Sequence, residues 1–191
     1  MSKRNLILAA VGLAFTWNTS LNAQDLVTID SETPIVHIVH ESKIQVYKDD
    51  TKSLRFEEIR NRLPQFVSST SIDNIDSKGT YWVYFKIKSR LDKDRQISIA
   101  SVARWIEIAP IIVNRNNSID ELKKTGFFRS SFSNLVDIDP IKNKSKDFDS
   151  LYSLFTLSKG ETAEIYVKLR SIPTYPANNF ALKLRDHAGY L

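Results

Sequence analysis

The sequence predicts an all-β fold: an antiparallel sandwich with one short helix. Three observations predict it. Tyr81-Trp82-Val83-Tyr84-Phe85-Lys86-Ile87-Lys88 alternates without a break, sending Tyr81, Val83, Phe85 and Ile87 to one face and Trp82, Tyr84, Lys86 and Lys88 to the other. Ala163 to Arg170 and Phe180 to Arg185 alternate in the same way. Strand-like runs recur roughly every 10–20 residues with one helical stretch among them, which argues against a doubly wound sheet. The inward residues of these strands anchor a core, since burying one aliphatic or aromatic side chain contributes about 1.5–3 kcal/mol. A one-residue slip would turn Lys86, Lys168 or Lys183 inward, so register is firmly set.

Along the chain, Lys3 and Arg4 precede the apolar run Leu6 to Phe15, and a short polar stretch ends at Ala23. This is the layout of a secretory signal peptide, expected to be cut after Ala23; the alternative is an uncleaved anchor. The apolar run is shorter than the about 20 residues of a spanning helix. Residues 24–41 read as a polar lead-in with one short strand, Ile35 to Val39. Ile44 to Tyr47 is a second brief strand, broken at Asp49-Asp50. Ser53 reads as the N-cap of a helix to about Leu63, with Phe56, Ile59 and Leu63 on one face, ended by Pro64. Separate strands are expected at Ile97 to Ala100, Trp105 to Ile108, Ile111 to Val113 and Leu151 to Leu157. A helical turn is expected at Ser118 to Glu121, a loop at 137–150 and a tight turn at Lys159-Gly160-Glu161. The sandwich is expected to span 42–186, with 187–191 as a tail.

The chain has no cysteine, hence neither disulfides nor thiolate metal sites. An exported chain without cysteine points to a bacterial envelope, periplasmic or extracellular. The net charge is +5, of which Lys3 and Arg4 supply two, and the charges are interspersed. Nucleic-acid binding calls for a concentrated basic stripe and is not expected. His37 and His40 fall on opposite faces of a β segment, and His187 is expected to be solvated, so no metal site is expected. Asp137, Asp139, Asp147 and Asp149 share one loop but lack the spacing of a calcium loop. Neither a nucleophile elbow nor a glycine-rich phosphate loop occurs. No catalytic residue, cofactor or enzymatic activity is expected. Binding fits better. Trp82, Tyr84 and Tyr166, with Lys86 beside them, form a candidate aromatic platform on which a sugar ring could stack. The competing reading places Trp82 and Tyr84 under a crossing segment such as the 53–63 helix. Trp105 is expected in the core.

The order of elements also carries a resemblance. Ile44 to Asp49, then Ser53 to Ile59, then Gly79 to Ile87, with Lys124-Thr125-Gly126 and Gly160 to Leu169, resembles the second extracellular domain of bacterial seven-transmembrane receptors with diverse intracellular signalling modules. The likeness covers roughly residues 42–186. The arginine frequent in that family's aromatic strand is Tyr84 here. The resemblance implies a jelly-roll sandwich similar to carbohydrate-binding modules, acting as a sensory input domain for a small-molecule or carbohydrate ligand. It also implies membrane helices and a cytoplasmic signalling module as partners in a larger receptor. No such helices occur by Leu191. The alternatives are a free-standing secreted or periplasmic binding or scaffold protein and, less favoured, a hydrolase, which would need two facing carboxylates about 5–10 Å apart.

Overall fold

A computed structural model describes residues 26–103, 105, 107–113, 116–122, 124, 153–171 and 177–187. The described strands are β1 (Leu26–Ile29), β2 (Val36–Val39), β3 (Gln45–Lys48), β4 (Val67–Ser68), β5 (Thr80–Ser89), β6 (Arg95–Ser101), β7 (Glu107–Val113), β8 (Ile119–Glu121), β9 (Ser153–Leu157), β10 (Thr162–Arg170) and β11 (Leu182–Asp186). One α-helix is described, α1 (Phe56–Arg60). The strands form two sheets. A seven-stranded sheet runs β4-β3-β5-β10-β7-β8, with β1 also on β5; a four-stranded sheet runs β2-β11-β6-β9. The architecture is the all-β sandwich that the alternation predicts.

The long strands set the frame. β5 and β10 pair antiparallel from Thr162 opposite Lys88 to Arg170 opposite Thr80. Their inward residues, with Ile97, Ile99, Phe155, Leu157, Leu182 and Leu184 from the smaller sheet, make one buried core. Trp105 is in it, against Tyr81 and Phe180 at ring centroid distances of 5.9 and 5.7 Å. Gly79 is required where it stands, because a Cβ there would run into the Tyr81 ring. That ring's hydroxyl accepts a hydrogen bond from Asp76 N at 2.7 Å, which satisfies its polar end.

The boundaries differ from the sequence reading in several places. The 24–41 lead-in contains β1 and β2, and each joins a sheet. β1 pairs parallel with β5, Leu26 opposite Lys86 through Ile29 opposite Ser89. It thus takes over the same edge of β5 that β3 occupies opposite Tyr81 to Tyr84. Four residues with one long-range parallel partner give little local signal. The two short runs around Pro110 are one strand, β7. The Pro110 carbonyl accepts from Leu122 N, so the nitrogen that lacks a proton faces that same side, at the end of edge strand β8. Ile119–Glu121 is that strand, not a helical turn. The helix is shorter than 53–63: α1 is followed by a separate 3-10 turn at Leu63–Gln65. Gly160 takes φ +68° in the turn before β10, as a tight turn requires. The 137–150 stretch, its four aspartates, and Thr125-Gly126 lie outside the described residues.

Candidate functional site

On the outer face of the larger sheet, register sorts the side chains into rows. One row holds Tyr47, Trp82, Lys168 and Ala109; the next holds Gln45, Tyr84, Tyr166 and Ile111; a third holds Leu26, Lys86, Glu164 and Val113; a fourth holds Thr28, Lys88 and Thr162. The first two rows are roofed by the segment that leads from β3 through α1. Leu54, Phe56 and Ile59 from the roof and Trp82, Tyr84, Tyr166, Ile111 and Val113 from the sheet form a second buried cluster. Phe56 meets Tyr166 edge-on at 5.1 Å, and Phe66 meets Tyr84 at 6.2 Å.

The roof is fastened by polar contacts at both ends. Asp49 is 1% exposed and donates its backbone N–H to Thr80 O at 2.9 Å. Its carboxylate accepts from Thr51 Oγ1 at 2.7 Å and Leu54 N at 3.1 Å. Lys168 Nζ lies 3.9 Å from the same carboxylate, donates to Leu54 O at 3.2 Å and sits 5.4 Å from the Trp82 ring centroid. Its ammonium thus sits among a carboxylate, a carbonyl and an aromatic face, which hold the roof to the sheet. The helix start uses Glu58, which accepts from Arg55 N at 2.8 Å; the expected N-cap, Ser53, lies two residues upstream. At the far end Arg60 donates to Asn117 at 3.1 Å, and Arg62 donates to Tyr47 Oη at 2.8 Å.

The four residues singled out from the sequence therefore do come together, but not as an open platform. Trp82 and Tyr84 are each 3% exposed and Tyr166 is fully buried. Large aromatics on an outer face carry too much apolar surface to leave wet, and the roof supplies the matching apolar side. Lys86 lies beyond the roof. Its Nζ is 3.2 Å from Glu164 Oε1, with the two side chains 25% and 28% exposed. The same carboxylate accepts from Tyr84 Oη at 3.2 Å and Tyr166 Oη at 3.4 Å. Burial, and then the Glu164 charge, push the Tyr166 phenol well above its ordinary value, while Arg60 pulls it the other way.

What results is a polar ledge where the roof ends: Lys86, Glu164, Thr28, Lys88 and Thr162, backed by two tyrosine hydroxyls. Lys88 Nζ also donates to Gly160 O at 3.1 Å. The ledge offers ammonium and hydroxyl donors beside one carboxylate acceptor, a set suited to hydroxyl-bearing or anionic groups. Sequence reasoning missed Glu164, although it alternates with Tyr166 on the same face. It also missed Asp49 as a buried anchor; the Asp-x-Thr spacing, which lets the carboxylate accept from Thr51, was the available signal.

His40 and His187 take structural positions. His40 Nδ1 accepts from Ser42 N at 3.3 Å in the 3-10 turn Glu41–Lys43. His187 is not simply solvated: its backbone N–H donates to Gln96 O at 3.0 Å, and its ring is 2.9 Å from Ser98 Oγ. The sandwich therefore reaches one residue into the expected tail.

Fold and face together define the class: a β-sandwich module with one outer face roofed and ending in a polar ledge. The model of the family described as 7TMR-DISM extracellular 2 matches residues 41–182, and the chain belongs to that family of extracellular receptor domains. The match supports an extracytoplasmic location and places such domains in larger receptors that carry membrane and cytoplasmic parts. No curated protein matches the chain. Among the described residues no helix is long and apolar enough to cross a membrane.

Proposed function

We infer that this chain is the extracytoplasmic sensory input domain of a bacterial membrane signalling receptor, and that it binds a ligand without transforming it. The ligand is a hydroxyl-rich small molecule, with a carbohydrate the best fit. One observation carries the reading: Lys86, Glu164 and the hydroxyls of Tyr84 and Tyr166 converge at the point where the roof stops. Sensing then works by differential affinity, the ligand favouring whichever arrangement of the receptor presents the ledge best. The burial of Trp82 moves the contact surface from ring faces to the ledge, so recognition rests on directed hydrogen bonds more than on stacking.

A glycan array probed with the exported chain tests this reading, followed by titration of any hit against Lys86→Ala and Glu164→Gln. The expected result is a hit whose affinity falls about tenfold or more in either variant, the size of a lost charge-assisted hydrogen bond. An array without hits, or a hit that ignores both substitutions, overturns the assignment to this ledge.

A further inference from the structure

The smaller sheet ends at β2, and that edge is not used by the reading above. Asp186 N donates to Ile35 O at 2.8 Å, and Val36 stands opposite Arg185 in the antiparallel ladder. Along such a ladder the backbone groups of successive residues alternate between facing the partner strand and facing away. Ile35, His37 and Val39 therefore turn their N–H and C=O to β11. Val36 and Ile38 turn theirs to the other side, where among the described residues no strand pairs. Their side chains are 43% and 52% exposed, and that of Ile35 65%. Edge strands are commonly guarded by brevity or charge. β4 has two residues, and β8 carries Asp120 and Glu121. Ile35 to Val39 includes no Lys, Arg, Asp or Glu.

The edge selects its occupant by its own register. His40 O is already taken by Lys43 N at 2.9 Å, and Pro34 has no N–H, so full pairing is confined to Val36 and Ile38. A second β2, laid antiparallel about a two-fold axis at His37, sets Val36 opposite Ile38 of the second copy and Ile38 opposite its Val36. Every outward N–H of these residues then meets an outward C=O, and the exposed Val and Ile side chains pack as cross-strand pairs. A one-residue slip would oppose them to groups already bonded to β11. A two-residue slip would bring in Pro34 or the occupied His40 carbonyl. Lys183 of one copy and Arg185 of the other stay three strand spacings apart, about 14 Å, beyond the screening length of about 8 Å in physiological salt. The contact is isologous, so it closes at two copies.

We propose that the chain forms a two-fold dimer by antiparallel pairing of β2 with β2 of a second copy, which joins the two smaller sheets into one. Pairing over so few residues buries less than about 1,000 Å², the size of a transient contact. Tethering two copies side by side raises their effective concentration to about millimolar, where such a contact fills. β2 lies outside the matched residues 41–182, so the pairing rests on this chain's own edge. It leaves the ledge on the larger sheet of each copy free.

Sedimentation equilibrium of the chain purified after export tests the proposal, from micromolar to about millimolar concentration. The expected result is a monomer–dimer equilibrium. Ile38→Lys places a charge on the edge and should weaken the dimer at least about tenfold. Its thermal unfolding at micromolar concentration, where the parent is monomeric, should match the parent. Because the chain has no cysteine, a single introduced one reads the register. His37→Cys stands on the axis, its Cα about 4.5 Å from its counterpart, and should crosslink the dimer on mild oxidation. Ile38→Cys stands about 8–9 Å from its counterpart and should crosslink far less. A monomer at every concentration, a dimer as tight in Ile38→Lys as in the parent, or equal crosslinking by the two cysteine variants each overturns the proposal. So does growth beyond the dimer with concentration, which would mark an open-ended pairing of β2 with a different edge.

Discussion

The two outer faces of this sandwich obey the same alternation yet have opposite fates. On the β5-β10 side the outward residues include Trp82, Tyr84 and Tyr166, and a roof has formed over these rings. On the β11-β6 side the corresponding residues are aliphatic, small or cationic, and Val36, Ile38 and Leu154 stay exposed. The comparison teaches that an outward position is not a wet position. A buried aromatic ring removes enough apolar surface from water to hold a short segment in place, whereas scattered Val, Ile and Leu remain tolerable at the surface. α1, of five residues, is far too short to stand alone and depends on this packing.

Substitutions can break or sharpen the contrast. The largest expected effect is Trp82→Ala, which should cost about 3–5 kcal/mol in denaturant unfolding because the cavity sits inside a second core. A loss under 1 kcal/mol would mean that the roof is not a core at all. Next is Asp49→Ala, expected to cost about 1–3 kcal/mol by leaving Leu54 N and the Lys168 ammonium short of a partner.

Alkaline titration probes the roof from within. Burial raises the folded Tyr166 phenol above its ordinary value of 10.0, so the folded chain keeps a proton that the unfolded chain releases. This contribution is whole below pH 10.0 and is lost as the pH climbs from there toward the folded value. Stability should therefore decline above that point, and Glu164→Gln should move the phenolate absorbance transition to lower pH. An unmoved transition would detach Glu164 from Tyr166. Glu164→Gln itself should change stability by less than about 1 kcal/mol, as expected for a partly exposed ion pair. The smallest effect is Ile38→Ser, expected within about 0.5 kcal/mol of the parent by thermal unfolding. A greater loss would show that Ile38 takes part in a packed contact.

Much of this was legible because period-2 alternation speaks for itself in long strands. Tyr81 to Lys88 and Ala163 to Arg170 announce their faces, and the inward sets are those found in the core. The weak points were short elements whose identity comes from partners far away. β1 is fixed by β5 some sixty residues on, and β8 by β7. In the candidate site, residues sharing a face could be named, but which of them lay under cover could not. Phe56 and Ile59 show a helical face in sequence without saying what that face meets.

The amino-acid order by itself determined the alternation, hence the sandwich, its register and which side chains point outward together. Only the tertiary structure decided that α1 closes over Trp82, Tyr84 and Tyr166, and that Glu164 and Lys86 stay at its margin. The physical reason is range. Alternation is set by the pleat of a single strand, while burial of an outward face depends on whether a distant segment has matching apolar surface and anchors, here Asp49 and Lys168, to hold it there.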